Sequence, residues 1–276
     1  MIRADWKLLL AFLLFPFTLF AQKPKRTALD SLSDYSYFLF GVKGGYFNKK
    51  SGTEAEFYFG TGFFVKQDQK VFLVSAKHVL TPCNIVDSSR DDDFPDSLYV
   101  RIKSRKTKRY MLYPIRIKMD SVQCRPYYQE ADAYAYEIKN PSKYFINSVE
   151  KFVVDDVADS SIESEAYTCG YPNVVSLNFE ELMKNKPKIS KIKLASKLNM
   201  VLVLGDGIYD TINYFANLDS GVLRSGNSGS PVFFQDKKDG KFIFGGLLSR
   251  GSTHTHETYF VKPKEVIEKI REVNQE

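Results

Sequence analysis

Short apolar runs broken by turn-forming residues recur along the whole chain. In the first half they are YSYFLFGV (35–42), EFYFGTGFFV (56–65), KVFLVSA (70–76), SLYVRIK (97–103), MLYPIRIKM (111–119) and DAYAYEI (132–138). Each has strand length, and each is bounded by polar or turn residues, so each predicts a β-strand. The polar residues Lys66 to Gln69 predict a hairpin between the second and third runs, and RKTKR (105–109) an exposed hairpin tip. The second half repeats the texture. KFVVDDV, EAYTCGYP, KISKIKLASK, MVLVLGDGIYDTINYFANL, SPVFFQ and FIFGGLLSR supply another six or so strands. Only the end has helical periodicity: Pro263 stands near the first turn, and Val266, Ile267, Ile270 and Val273 share one face. The expected fold is all-β: two six-stranded antiparallel β-barrels, 34–145 and 146–276, followed by a C-terminal α-helix.

Composition adds a leader to this picture. Arg3 and Lys7 precede the apolar run LLLAFLLFPFTLFA, which ends at Ala21 and contains Pro16. A membrane span needs about 20 apolar residues, and this run is shorter. A basic start, a short apolar stretch and a small residue before a polar segment predict a secretory signal peptide over 1–21. The protein is therefore expected to be exported, secreted or periplasmic, without stable membrane insertion after cleavage. Residues 22–33 are polar and expected to be loose. A net charge of +6 over 276 residues is too mild to suggest a nucleic-acid partner. Export permits disulfides, and three cysteines allow three pairings. Cys83 with Cys124 is preferred because both fall in the first half. No Cys or His spacing suggests a metal, and no Gly-rich phosphate loop appears.

Candidate chemistry centres on few residues. The chain has three histidines. His254 and His256 lie in the polar stretch GSTHTHET, where a solvated loop is the simpler expectation. His78 sits in FLVSAKHVL, where a strand exits and a side chain can project into a cleft. Asp132 opens the alternating strand DAYAYEI, where it can be shielded from water and still meet a partner. In SGNSGSPVF (225–233), Gly226 and Gly229 flank Ser228. A serine hydroxyl becomes a nucleophile only with a base to take its proton and donors to hold the resulting oxyanion. Glycines let backbone N–H groups turn toward such an oxyanion, because they accept positive φ at little cost.

The order His78, Asp132, Ser228 resembles that of the trypsin/chymotrypsin-like serine peptidases, especially secreted bacterial forms such as glutamyl endopeptidases and heat-shock-type proteases. The motifs that carry the resemblance are GTGFFV (60–65), VSAKHVL (74–80), ADAYAYEI (131–138), CGYP (169–172), GNSGSPVF (226–233) and GGLLSRG (245–251). It covers about Tyr35 to Ile270. The resemblance implies chymotrypsin-like barrels and a serine endopeptidase acting on a polypeptide substrate with no cofactor. Ser228 would be the nucleophile, His78 the general base and then acid, and Asp132 its orienting carboxylate. The N–H groups of Gly226 and Ser228 would form the oxyanion hole. Ser249, Arg250 and Gly251 would lie along an extended substrate, with Val222, Leu223 and Arg224 shaping the pocket for the side chain at the cleaved bond (P1).

Departures from the family pattern carry information too. Val79 stands where many animal members have a cysteine, and Asn227 where many have the Asp that receives a freshly cut N-terminus. Activation through that ion pair is not expected. Val222 disfavours a Lys or Arg at P1. Leu248 stands where glutamyl members carry a His. An apolar or small P1 side chain is the expectation, with Arg224, Arg250, His254 and His256 as the features that would favour an acidic one. The competing reading is a catalytically silent two-barrel module that binds peptides or proteins. Its signature would be His78 and Asp132 lying beyond hydrogen-bond reach of their partners.

Overall fold

A computed structural model describes residues 26–43, 57–91, 94–153, 162–172, 183–194, 202–205, 208–217, 225–251 and 257–275. The expected signal peptide, and Val222, Leu223, Arg224, His254 and His256, lie outside the described residues. The first described element is the short helix α1 (Ala28–Leu32). The segment expected to be loose therefore contains a helical turn. Thr27 and Asp30 explain it by capping each other: Thr27 N–H donates to Asp30 Oδ2 at 3.0 Å, and Asp30 N–H donates to Thr27 Oγ1 at 3.1 Å.

From Leu32 onward two antiparallel sheets carry the fold. The strands of the first are β1 (Tyr37–Val42), β2 (Phe57–Gln67), β3 (Lys70–Ser75), β4 (Ser97–Ser104), β5 (Tyr110–Ile115) and β6 (Tyr134–Glu137), in spatial order β5-β4-β1-β2-β3-β6. A two-residue strand, β7 (Tyr144–Phe145), pairs with β4. The β2–β3 hairpin turns at Asp68 and Gln69, both at positive φ (49° and 66°), the geometry that matches a tight hairpin to strand twist. The second sheet has the order β12-β15-β14-β13-β8-β9. Its members are β8 (Ile162–Gly170), β9 (Lys188–Lys193), β12 (Asn213–Asn217), β13 (Pro231–Asp236), β14 (Phe242–Gly251) and β15 (Glu257–Val261). The hairpin of β10 (Leu202–Gly205) and β11 (Ile208–Asp210) stands apart from it. The architecture is thus all-β, two six-stranded antiparallel barrel sheets and a terminal helix, α2 being a single turn at Lys77–Leu80 and α3 the helix Pro263–Gln275.

KFVVDDV departs from its expected strand. Val149–Phe152 forms a 3-10 turn instead, and 154–157 lie outside the described residues. Packing decides this. Val149 is fully buried, and the Phe152 ring lies 5.0 Å from Tyr35 and 5.2 Å from Phe233, edge to face. A strand would alternate its side chains and could not send both inward.

Aromatic side chains explain how the two sheets hold together. Phe63 of β2 and Phe244 of β14 are both fully buried, with ring centroids 5.3 Å apart. Phe233 extends the seam, 6.4 Å from Phe244 and 6.4 Å from Tyr35. Burying each such ring stabilises the fold by roughly 1.5–3 kcal/mol. Among the described residues Phe side chains therefore pack between the sheets as well as within them.

The terminal helix buries Val266 and Ile270 and reaches back to the first sheet through charge. Lys269 Nζ donates to Glu130 Oε1 at 2.9 Å, and Lys77 Nζ donates to Glu130 Oε2 at 2.5 Å. Lys77 is almost fully buried, so its ammonium needs this partner. Burial alone would raise the Glu130 carboxyl, but hydrogen bonds from Lys77 and Lys269 outweigh it and leave its pKa below the usual value. A lowered folded-state pKa adds stability that is present above the unfolded value and lost as pH falls through the folded one. Glu130→Gln should therefore lower the unfolding midpoint at pH 7, with the deficit shrinking in thermal melts as pH falls below about 4.3, the ordinary Glu value.

Candidate active site

Strand pairing brings the His and Asp together. In the β3–β6 ladder Ser75 stands opposite Tyr134, so the residues just after β3 meet those just before β6. His78, in α2, and Asp132 occupy those positions. The Cys83–Cys124 disulfide, the pairing preferred from sequence, ties the chain leaving α2 to the chain approaching Asp132. Cys169 is a buried free thiol whose pKa burial pushes up to about 12.

Asp132 is only 1% exposed. A buried carboxylate is tolerated when donors surround it, and three do. His78 Nδ1 lies 2.8 Å from Oδ2, the His78 backbone N–H donates to Oδ1 at 3.1 Å, and Ser249 Oγ–H donates to Oδ2 at 2.6 Å. The backbone and ring contacts together fix His78 to one carboxylate, with its Nε2 as the free ring nitrogen. Burial by itself pushes the imidazole pKa down. The Asp132 charge and hydrogen bond outweigh it, leaving the pKa above the ordinary histidine value, while nearby Arg250 pulls it back. The His78 side chain remains 27% exposed and accessible from solvent.

The segment carrying Ser228 is held by the first barrel. Thr61 N–H donates to Ser228 O at 3.0 Å. The Thr61 hydroxyl donates to Gly226 O at 2.7 Å and accepts from Tyr171 N–H at 3.1 Å. Ser75 Oγ–H donates to Thr61 O at 2.6 Å, so the anchor is itself anchored. From the other side, Gly229 N–H donates to Leu248 O at 2.8 Å. Both flanking glycines are at positive φ, Gly226 at 94° and Gly229 at 84°. A Cβ on Gly229 would stand 2.1 Å from both Ser75 Oγ and Thr61 O, and one on Gly226 would stand 2.4 Å from Tyr171 O. No other residue fits either place without moving backbone.

Ser225, Gly226, Ser228 and His78 line one cavity of about 200 Å³, whose far wall is apolar and includes Phe40, Phe59 and Tyr99. Among the described residues no hydrogen bond joins Ser228 Oγ to His78, and the N–H groups of Gly226 and Ser228 have no protein acceptor. Ser230, the third serine of the stretch, is fully buried. Ser249 is also buried, at Asp132, and Arg250 follows it at the edge of the site.

Sequence reasoning missed the residues that position the others. Thr61 lies inside GTGFFV and Ser75 inside VSAKHVL, each a small polar residue in an otherwise apolar strand. That pattern is the signal that could have found them, since a polar group placed inward must have a partner. Lys77 and Glu130 sit beside His78 and Asp132 in the sequence, and their ion pair locks the same two segments.

Thr61→Val keeps the shape and removes the hydroxyl. Gly226 O and Tyr171 N–H would lose their partner, at a cost of about 1–3 kcal/mol. A thermal melt should show this as a lowered midpoint. If Ser228 reacts with a fluorophosphonate, that reaction should slow by about tenfold or more as the loop loosens. Unchanged labelling with a lowered midpoint would limit Thr61 to a structural part.

Neither the protein-family models nor the curated proteins include a match to this chain.

Proposed function

We propose that this protein is an exported serine endopeptidase that cleaves peptide bonds through an acyl-enzyme on Ser228. The observation that carries the reading is the buried Asp132 carboxylate bonded to His78 Nδ1 at 2.8 Å, with His78 and Ser228 on one cavity. Asp132 sets the tautomer in which Nε2 is the basic nitrogen. Nε2 takes the Ser228 proton as Oγ attacks the scissile carbonyl, and returns it to the leaving amine as the peptide C–N bond breaks. Water then attacks the ester by the same exchange, releasing the acid and restoring Ser228. The N–H groups of Gly226 and Ser228 bind the oxyanion in each tetrahedral intermediate, and losing one such donor typically costs about 10²–10³ in rate. The Ser228–His78 hydrogen bond is one that substrate binding has to close, as is common in empty sites.

The lack of that bond among the described residues also favours a second reading, a silent two-barrel module that binds peptides in the same cleft. A fluorophosphonate probe separates the two. The mature protein should label at one residue, and Ser228→Ala should abolish labelling. A folded protein that does not label, or an alanine variant that labels equally, would leave the binding module as the better account.

The pH profile is a further test. A general base works only when neutral, and the His78 pKa is raised. The acid limb of kcat/KM should therefore lie above about pH 6.5, the ordinary histidine value. Asp132→Asn removes the charge that raises it. The limb should move to lower pH, and kcat should fall by about 10⁴ because the tautomer is no longer enforced.

A further inference from the structure

Arg250 follows the residue that bonds Asp132, and its side chain is held in an unusual way. The guanidinium carbon lies 3.3 Å from the Tyr127 ring centroid and 4.0 Å from that of Tyr259. Two tyrosine rings, tilted 57° to one another, contact the cation, which orders it without using its hydrogen-bond donors. Its Nε is buried and has no partner. Among the described residues the guanidinium makes no ion pair and no hydrogen bond. The carboxylates whose fields reach Tyr259 are Glu257 and Asp210, and neither pairs with it. Asp210 is occupied by the N–H groups of Ile212 and Asn213, each at 3.0 Å.

A buried Nε–H without a partner is costly to keep unless something binds it. The cavity it faces points to what that is. Arg250 and His78 line one space of about 560 Å³, with Arg90, Asp91 and the Cys83 segment as the opposite wall. Among the described residues two arginines against one aspartate leave this lining net positive, and Asp91 has interactions of its own. Ser228 and Gly226 are absent from this lining and belong to the neighbouring cavity. The space is thus beside the scissile bond and not at it.

Strand geometry says which substrate residue would enter. β14 pairs with β15 through Arg250 and Gly251, and with the start of β13 only as far as Leu248. Among the described residues its other edge is open from Ser249 onward, where an extended peptide can add as a strand. Successive side chains of such a peptide point to opposite faces. If P1 points away from His78 into its own pocket, the preceding residue points toward His78 and Arg250.

We infer that Arg250 is a specificity-determining residue that takes a carboxylate side chain, Glu or Asp, at the position before P1 (P2). This rests on the peptidase reading above. The planar fork offers two parallel N–H groups to a carboxylate, a pairing that a neutral amide of the same shape cannot match.

The test compares peptides with Glu, Gln, Leu or Lys at P2 and otherwise identical sequence. Wild type should prefer Glu over Gln by about tenfold or more in kcat/KM. Arg250→Met keeps apolar volume against both rings and should bring the two within about twofold, mostly through KM. Arg250→Glu should reverse the preference toward Lys, a result that loss of packing cannot produce. The same peptides are titrated onto Ser228→Ala, so the carboxylate preference is read without turnover. A wild type that labels with fluorophosphonate but shows no acidic preference at P2, or a preference that survives in Arg250→Met, overturns the inference and leaves the peptidase intact. If wild type neither labels nor cleaves, the peptidase reading fails, and titration of Ser228→Ala against Ser228→Ala/Arg250→Met alone decides the role of Arg250.

Discussion

A carboxylate that is almost wholly removed from water organises this molecule. A carboxylate at 1% exposure is tolerated only where donors converge on it, and the three that meet Asp132 come from both halves of the fold. His78 is supplied by the first barrel and Ser249 by the second. The bond from Ser249 therefore sets where β14 passes the cleft, and with it where Arg250 projects. Removing either barrel would leave the charge short of a partner. The site and the packing between barrels are in this sense one structure.

Thr61 acts in the opposite direction. It belongs to the first barrel and holds the Ser228 loop of the second through two hydrogen bonds, to Ser228 O and Gly226 O. Each barrel thus places a part of the candidate site carried by the other. Around this polar seam the Phe63, Phe233 and Phe244 rings exclude water, which strengthens every hydrogen bond inside it. The Cys83–Cys124 bond and the Lys77–Glu130–Lys269 network sit just outside, and they fix the segments that carry His78 and Asp132 rather than those residues themselves.

Strand positions were legible because their signal is local. A run such as KVFLVSA has to be a strand wherever it lies, and the paired glycines of SGNSGSPVF require a tight turn. Places where the chain departs from such local rules have a tertiary cause. KFVVDDV has a strand's composition, yet Phe152 is drawn between Tyr35 and Phe233, and the backbone coils to allow it.

The sequence by itself determined the all-β class, the two sets of strands, the terminal helix and the short list of candidate side chains. Those follow from periodicity, from glycine's backbone freedom and from how few histidines the chain has. Tertiary structure alone decided which groups meet. That His78 faces Asp132 depends on β3 pairing with β6, and that Thr61 holds Ser228 depends on how two sheets pack. The contact of Arg250 with Tyr127 joins residues more than a hundred positions apart. No local pattern encodes such meetings, because their energy arises only when distant strands are brought together and water is removed from between them.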